Sequence, residues 1–220
     1  MRRLVYIADP LCSWCYGFGP QLARLMERHP ALPVDLVMGG LRAYNREPMS
    51  AAFRDMLRGH WEHVARMSGL PFSEAIFAQA QFVYDTEPPC RAVVTARSLD
   101  PSGALDVMKA IQAAFYAEGR DVTRALALAD LAAAEGYERA AFLGALESQE
   151  MRDATRADFD RARSLGVTGF PTLAYAHDDG IYLVSSGYTT AETLDERIAL
   201  IERRLDPGAG AADRSRGESR

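Results

Sequence analysis

The sequence predicts an α/β fold in which a large all-helical insertion interrupts a small mixed sheet. Three observations lead to this prediction. An apolar run, a Cys-x-x-Cys motif and a helix follow one another near the N-terminus, a long Ala-, Leu- and Arg-rich stretch occupies the middle, and a hairpin and a helix come near the C-terminus. The predicted element order is therefore β-α-β, a helical block, and β-β-α.

The β-α-β part lies in the first forty residues. Residues 4–8 (LVYIA) are a short apolar run rich in β-forming side chains, which is typical of a buried strand. Residues 14–29 can be helical, and residues 33–38 form a second strand that a pair of glycines ends. Residues 12–15 (CSWC) lie between the first strand and the helix, a context that favours a redox-active motif.

The β-β-α part lies near the C-terminus. Residues 172–176 and 181–184 are two β-rich runs around a turn at residues 178–180, which predicts a hairpin. Thr189 followed three residues later by Glu192 is a capping-box signal. We therefore expect the last helix to start there and to run to about residue 204.

Residues 48–166 are predicted to be helical almost throughout, because apolar positions recur at helical spacing between Gly and Pro breaks. We therefore divide the chain into an α/β domain of residues 1–45 and 150–205 and a helical insertion domain of residues 46–149. Residues 206–220 lack apolar periodicity and are predicted to be a disordered tail.

Composition excludes several classes of function. The 220 residues carry a net charge of −5 with acidic and basic residues interspersed, so we expect no nucleic-acid partner. No apolar run approaches the roughly 18 residues of a membrane span, so we expect no membrane partner either. Three cysteines are too few for a disulfide scaffold. The apolar run behind Arg2 and Arg3 is shorter than the about 7–15 residues of a secretory leader, which predicts a cytoplasmic protein.

The two motif cysteines are the candidate catalytic residues. Cys12 is expected at the helix N-cap, where unpaired backbone N–H groups and the positive end of the helix dipole favour a thiolate. Cys15 is expected one turn deeper and less exposed. This asymmetry predicts that Cys12 is the nucleophile and that Cys15 resolves the mixed disulfide.

Four further side chains are candidates for modulating or extending the site. Asp9 would raise the pKa of Cys12 and accept a proton, or it is a solvated turn residue. Ser13 can hydrogen-bond the Cys12 sulfur. Trp14 is expected to be an exposed aromatic residue that grips an apolar substrate, or else to pack as a lid. Cys90 should open a helix, which would lower its pKa and make it a third redox thiol; the alternative is a small buried residue.

Two other groups of residues either bind a ligand or metal or are ordinary surface residues. His60 and His63 share a predicted helix face and could complete a Cys₂His₂ metal site with the motif cysteines. Because no local finger context is present, a partly exposed helix face is the favoured interpretation, and we expect no metal. Residues 42–46 form a polar loop that either binds the carboxylate of a thiol such as glutathione or is simply solvated.

In their order along the chain, these motifs resemble one known family. The strand, the Cys-x-x-Cys helix, the helical insert and the segment 166–172 (GVTGFPT) that opens a hairpin resemble the DsbA-like branch of the thioredoxin superfamily. Residues 9–16 (DPLCSWCY) are especially similar to the cytoplasmic FrnE-like dithiol proteins. The resemblance covers about residues 3–204 and implies a thioredoxin-like fold.

The resemblance also implies roles for residues of the hairpin segment. It implies that Pro171 is cis and lies beside the cysteines; from the residues alone, a cis bond and an ordinary trans proline at a strand edge both remain open. Phe170 would offer backbone groups to an extended substrate peptide. Thr168 and Trp14 are expected to line the same substrate site.

The chain departs from the family pattern at two points. Thioredoxin-like enzymes usually carry a buried acid six residues before the first cysteine, where this chain has Tyr6. Proton transfer must then fall to Asp9, to water or to another group. Ser13 and Trp14 replace the proline-histidine pair of the oxidising periplasmic members, so strongly oxidising behaviour is not implied.

The sequence therefore predicts a thiol–disulfide oxidoreductase, of the DsbA-like protein disulfide oxidoreductase or isomerase type. Its substrates would be thiols or disulfides of proteins or small molecules. We expect no metal or organic cofactor, and glutathione is considered as a co-substrate. One alternative resembles the kappa-class glutathione transferases and hydroxychromene-carboxylate isomerases, which typically carry serine in place of Cys12. Another alternative is a non-enzymatic binding or chaperone module. Helical inserts of this architecture often dimerise, so a homodimer is also considered.

Overall fold

A mixed four-stranded sheet lies at the centre of the molecule. The structure is a computed structural model and describes residues 2–206. Within these residues the strands are β1 (Arg3–Ala8), β2 (Val34–Met38), β3 (Thr172–His177) and β4 (Gly180–Ser186). They lie in the order β2-β1-β3-β4, with β1 parallel to β2 and antiparallel to β3. The predicted hairpin is the antiparallel pair β3 and β4.

The part of the chain that the structure describes also contains eight α-helices. They are α1 (Ser13–Arg28), α2 (Ala51–Ser68), α3 (Glu87–Leu99), α4 (Ala104–Gln112), α5 (Ala125–Ala134), α6 (Arg139–Leu146), α7 (Gln149–Ser164) and α8 (Ala191–Leu205). A π-helical turn, Ala113–Ala117, extends α4. Among residues 2–206, none of these helices combines the length and the apolar character that crossing a membrane requires.

The alternation of side chains along β1 divides the core between the two faces of the sheet. Leu4 and Tyr6 point to the face that α1 and α8 cover, where they join the larger apolar core. Val5 and Ile7 point to the opposite face and pack with Ala162 of α7. The sheet is thus a middle layer between helices, as in a thioredoxin-like fold with a helical insertion between β2 and α7.

An aromatic cluster attaches the inserted helices to α1. Trp61 of α2 is buried, with its ring centroid 4.6 Å from that of Phe77 and 4.9 Å from that of Tyr116. Tyr116 in turn stacks on Tyr16 of α1, with centroids 5.0 Å apart and ring planes within 10°. The helix that carries the motif cysteines therefore packs directly against the core of the insertion.

Two details of the sequence-based elements are corrected. Residues 69–86 are largely irregular rather than helical, with one 3₁₀ turn at Ala75–Ala78, because Gly69 ends α2 in a left-handed conformation (φ 73°). Thr190, not Thr189, caps α8, and its hydroxyl oxygen accepts a hydrogen bond from the Thr193 amide. The two adjacent threonines made the capping register ambiguous in the sequence.

The proposed domain division, with residues 1–45 and 150–205 in one unit and 46–149 in another, stays a prediction. Of the predicted disordered tail, 206–220, all but Asp206 lies outside the described residues.

Candidate active site

The two motif cysteines lie where β1 leads into α1. Cys12 is the N-cap residue of α1 in an extended conformation, as predicted, and Cys15 lies one turn deeper. Cys12 is 6% exposed and Cys15 is 0% exposed, so the expected asymmetry of access is confirmed. Both are free thiols. Burial, together with the hydrogen bond and charge of Cys12, raises the pKa of Cys15 well above its usual value.

The start of β3 brings the backbone of Phe170 to the Cys12 sulfur. The Phe170-Pro171 peptide bond is cis, as the resemblance implied, and Pro171 is buried. The Cys12 thiol donates a hydrogen bond to the Phe170 carbonyl oxygen at 3.5 Å. Gly39 leaves room for the Phe170 ring, since a Cβ at Gly39 would lie 2.1 Å from two ring atoms. The structure thus brings together three of the predicted site residues, Cys12, Phe170 and Pro171.

Asp9 lies beside the motif as a fully buried carboxylate. Its Oδ1 accepts a hydrogen bond from the Leu11 amide (2.8 Å), and its Oδ2 accepts one from the Leu41 amide (2.7 Å). Burial raises the pKa of Asp9, although these two amides act in the opposite direction. The interpretation of Asp9 as a solvated turn residue is therefore wrong, and its carboxylate ties the motif to the loop after β2.

Cys90 contacts Asp9 but is not an activated thiol. Its Sγ donates to Asp9 Oδ2 at 3.4 Å, and the residue is completely buried. Burial and the Asp9 carboxylate raise the pKa of Cys90 well above its usual value, so the predicted lowering is wrong. The reason is that the Cys90 amide already bonds the Thr86 carbonyl, and its sulfur lies in the core beside Asp9. Burial and the Asp9 carboxylate outweigh the Gly40 backbone N–H, which acts in the opposite direction. The alternative, a small buried residue, is confirmed.

Trp14 forms a half-buried aromatic rim beside the cysteines. Its ring centroid lies 5.9 Å from that of His60, 5.5 Å from that of His63 and 5.5 Å from that of Tyr188. Burial, and then the neighbouring His63, lower the pKa of His60. Trp14 therefore packs against neighbouring rings, as in the lid interpretation, rather than being freely exposed. His60 and His63 both contact Trp14, so they share one face of α2 as predicted. Within residues 2–206, no group of three or more His, Cys, Asp or Glu side chains could hold a metal ion.

Among the described residues, two predicted site residues form no hydrogen bond with the Cys12 sulfur. Ser13 is buried, and among the described residues its hydroxyl forms no hydrogen bond to that sulfur. Thr168 is exposed and lines a cavity of about 320 Å³ together with Ile7 and Leu183. Because Ile7 faces α7, this cavity lies on the sheet face away from α1.

The polar loop 42–46 lies beside the Asp9 network. Arg42 follows Leu41, and its amide donates to the Thr86 hydroxyl at 3.1 Å. Its guanidinium carbon lies 4.4 Å from the ring centroid of Phe53. Among residues 2–206 no acidic side chain forms an ion pair with Arg42, and its Nε is buried without a hydrogen-bond partner. The loop therefore holds an uncompensated cation near the motif.

Two tyrosines of the insertion support the site, and the sequence did not single them out. The Tyr84 hydroxyl donates to the carbonyl of Leu11, directly before Cys12, and lies 3.4 Å from the Tyr116 hydroxyl. Burial raises the pKa of both tyrosines, so each stays a neutral hydroxyl. No local pattern marks them, because both reach the motif through packing of the insertion.

This sheet, with a Cys-x-x-Cys motif at a helix N-terminus facing a cis-proline strand, defines a member of the thioredoxin superfamily. Residues 4–199 match the model of the DsbA-like thioredoxin domain, and the chain belongs to that family.

Solved structures agree with this assignment. The chain is similar to a candidate protein disulfide isomerase from Nitrosomonas europaea, with 33% identity, a TM-score of 0.85, and coverage of 92% of this chain and 98% of the other. It is similar to the cytosolic disulfide reductase DsbM from Pseudomonas aeruginosa with GSH, with 31% identity, a TM-score of 0.73 and coverage of 92% and 98%. A 2-hydroxychromene-2-carboxylate isomerase shares the fold at 17% identity, a TM-score of 0.64 and coverage of 94% and 98%. Comparison with curated proteins finds no match.

Proposed function

We propose that this protein is a cytoplasmic thiol–disulfide oxidoreductase that works through Cys12 and Cys15. One observation carries the proposal: the Cys12 sulfur lies at the N-terminus of α1, 3.5 Å from the Phe170 carbonyl oxygen, with the Cys15 thiol buried one turn deeper. Similarity to the cytosolic disulfide reductase DsbM supports both the reaction class and the compartment.

The geometry suggests the order of the exchange. The Cys12 thiolate attacks one sulfur of a substrate disulfide, forms a mixed disulfide and expels the other half as a thiolate, which takes up a proton. An extended substrate pairs with the backbone at Phe170, which is already aligned on Cys12. Cys15 then loses its proton and attacks the Cys12 sulfur. The Cys12–Cys15 disulfide closes, and the second substrate thiol leaves; the reverse sequence oxidises a substrate dithiol.

The environments of the two cysteines keep these roles apart. Because burial raises the pKa of Cys15, this thiol stays protonated while Cys12 reacts with the substrate. Cys12 is the partly accessible sulfur of the two. The resolving attack therefore depends on removing a proton from a buried group.

We further propose glutathione as a small co-substrate whose carboxylate binds at Arg42. The guanidinium rests on the Phe53 ring and has no acidic partner among the described residues, which leaves its charge available for a ligand. Arg42→Gln should raise KM for glutathione disulfide several-fold and leave kcat within about twofold. Arg156→Gln, which removes an exposed arginine of α7, is the matched control. An equal effect of both variants would argue against the Arg42 site.

The deciding experiment is equilibration of the protein against graded glutathione buffers, with the Cys12–Cys15 state read by mass after thiol trapping. A reversible two-electron transition between about −120 and −270 mV is expected for a dithiol oxidoreductase. Cys12→Ser should abolish the transition, and Cys15→Ser should accumulate a mixed disulfide on Cys12. Cys90→Ser is the control and should titrate like the parent protein.

Two outcomes would favour the alternatives instead. A stable single glutathione adduct on Cys12 in the parent protein, without a dithiol transition, would favour the glutathione-dependent transferase or isomerase. Partner binding that persists in Cys12→Ser and Cys15→Ser, with no exchange activity in the parent protein, would favour a binding module.

A further inference from the structure

A small cavity lies behind the resolving cysteine, between α1 and α4. It measures about 20 Å³, and its lining includes Tyr6, Cys15, Gly19, Lys109 and Gln112. Cys15 and Gln112 are buried, Gly19 is half-buried and Lys109 is exposed. The cavity therefore runs from the Cys15 side of the core toward the surface.

Two buried residues that line this cavity carry polar groups without a well-formed protein hydrogen bond. Within residues 2–206, the Gln112 Nε2 amide meets no hydrogen-bond partner. The Tyr6 hydroxyl lies beside the Cys15 sulfur, but without a well-formed hydrogen bond to it. Their residues are 1% and 2% exposed. A buried polar group without a partner costs about 1–3 kcal/mol, so such groups in proteins usually bind an ordered water.

The cavity meets the physical requirements for one water molecule. A water needs about 10–15 Å³ of cavity and two to four polar partners. The cavity offers about 20 Å³, and three of the residues that line it, Tyr6, Cys15 and Gln112, carry polar side chains. Burial, and then the charge of Cys15, raise the pKa of Tyr6 well above its usual value, so its hydroxyl stays neutral and can both donate and accept.

We propose that a water held by Tyr6 and Gln112 receives the proton of Cys15 during the resolving step. This inference rests on the proposed function. The step converts the mixed disulfide Cys12–S–S–R and the Cys15 thiol into the Cys12–Cys15 disulfide and RSH. The S–S bond between Cys12 and the substrate breaks, the bond between Cys12 and Cys15 forms, and the proton passes through the water to solvent while RS⁻ takes up another.

The charged and titratable groups around Cys15 favour this route over one through Asp9. Cys15 is near Cys12 at the start of its own helix and Asp9 in the β1–α1 turn. Tyr6 of β1 lies beside the Cys15 sulfur, and Lys109 of α4, paired with Asp106, lies at the cavity. Asp9 directs its backbone N–H at the Cys15 sulfur. Its carboxylate oxygens are taken by the Leu11 and Leu41 amides and by Cys90.

Tyr6 and Gln112 are thus positioning residues, and Tyr6 stands where related enzymes carry a buried acid. The sequence left this proton transfer open between Asp9, water and another group. The structure favours water, because the Asp9 carboxylate already accepts hydrogen bonds from two amides and from Cys90, whereas the cavity beside Cys15 has room for one water.

The test separates the two half-reactions by stopped flow. Capture of a disulfide substrate by Cys12 and resolution by Cys15 are measured in the parent protein, Tyr6→Phe and Gln112→Leu. Tyr175→Phe is the control, because Tyr175 is also buried in the sheet but bonds Glu202 instead. We expect resolution to slow at least tenfold near pH 7 in both test variants and to recover at high pH, where hydroxide replaces the water relay. Capture should change less than twofold.

Resolution within twofold of the parent in both test variants, with an unchanged pH profile, would overturn the inference. A crystal structure of the parent protein provides a second readout that does not depend on folding of the variants. It should show an ordered water bonded to Tyr6 Oη and Gln112 Nε2, and a dry cavity would equally overturn the inference. Failure of the parent protein to form a mixed disulfide at Cys12 would instead reject the proposed function.

Discussion

Replacing Gly39 with alanine tests whether the position of Phe170 controls the reaction at Cys12. The new Cβ would lie 2.1 Å from two atoms of the Phe170 ring. Carbon atoms in contact are ordinarily about 3.5–4.0 Å apart, so the ring must retreat by about 1.5 Å. Part of this movement must pass to the Phe170 backbone, whose carbonyl oxygen lies 3.5 Å from the Cys12 sulfur.

The expected magnitudes follow from these contacts. Overpacking of this kind costs about 1–3 kcal/mol of unfolding free energy. If the displaced backbone loses one hydrogen bond to the substrate peptide, the binding free energy of that peptide weakens by about 0.5–1.5 kcal/mol. Since each 1.4 kcal/mol is a factor of ten, peptide exchange at Cys12 should slow about two- to tenfold.

The assay compares urea denaturation and disulfide exchange with a labelled peptide in Gly39→Ala and Gly144→Ala. A Cβ at Gly144, in α6, meets nothing within 4 Å. The control should therefore gain about 0.8–1.0 kcal/mol from helix propensity and keep its exchange rate. If Gly39→Ala keeps the stability and the exchange rate of the parent while Gly144→Ala behaves as expected, the position of Phe170 does not control the reaction at Cys12.

Three further predictions concern burial. Native protein should alkylate at Cys12 long before Cys90, whose pKa burial raises; equal labelling by mass spectrometry would contradict this. The raised folded-state pKa of Asp9 gives stability that is present below about pH 4 and lost as pH rises through that pKa. Urea titrations should therefore show the parent losing stability relative to Asp9→Asn as the pH rises above about 4; the opposite slope would contradict it. Trp61→Ala should lose about 3–5 kcal/mol by the same titration, and a loss below about 1 kcal/mol would show that the cluster repacks.

The sequence predicted those parts of the fold and site that depend on neighbours along the chain. The strand of residues 4–8, the N-cap position of Cys12 and the deeper burial of Cys15 all follow from spacing and local apolar pattern. The capping residue of α8 was off by one because Thr189 and Thr190 are equally good caps.

The remaining features depend on contacts between distant elements. Cys90 was expected to be activated because it opens a helix, but the packing of α3 buries its sulfur against Asp9. Tyr84 and Gln112 reach the motif from the insertion, and no spacing rule places them there. The fit of Phe170 over Gly39 also requires two segments that lie far apart in the sequence.

The contact between Cys12 and Phe170 joins positions 158 residues apart, which has a consequence for protein synthesis. The central strand β1 can pair with β2 early, but its other edge waits for β3 near the C-terminus. On the ribosome, the chain therefore displays its dithiol before the segment that aligns substrate exists. Nascent chains should carry two reactive thiols without the Phe170 backbone that aligns the substrate. The complete site should form only after residues 170–177 have left the exit tunnel.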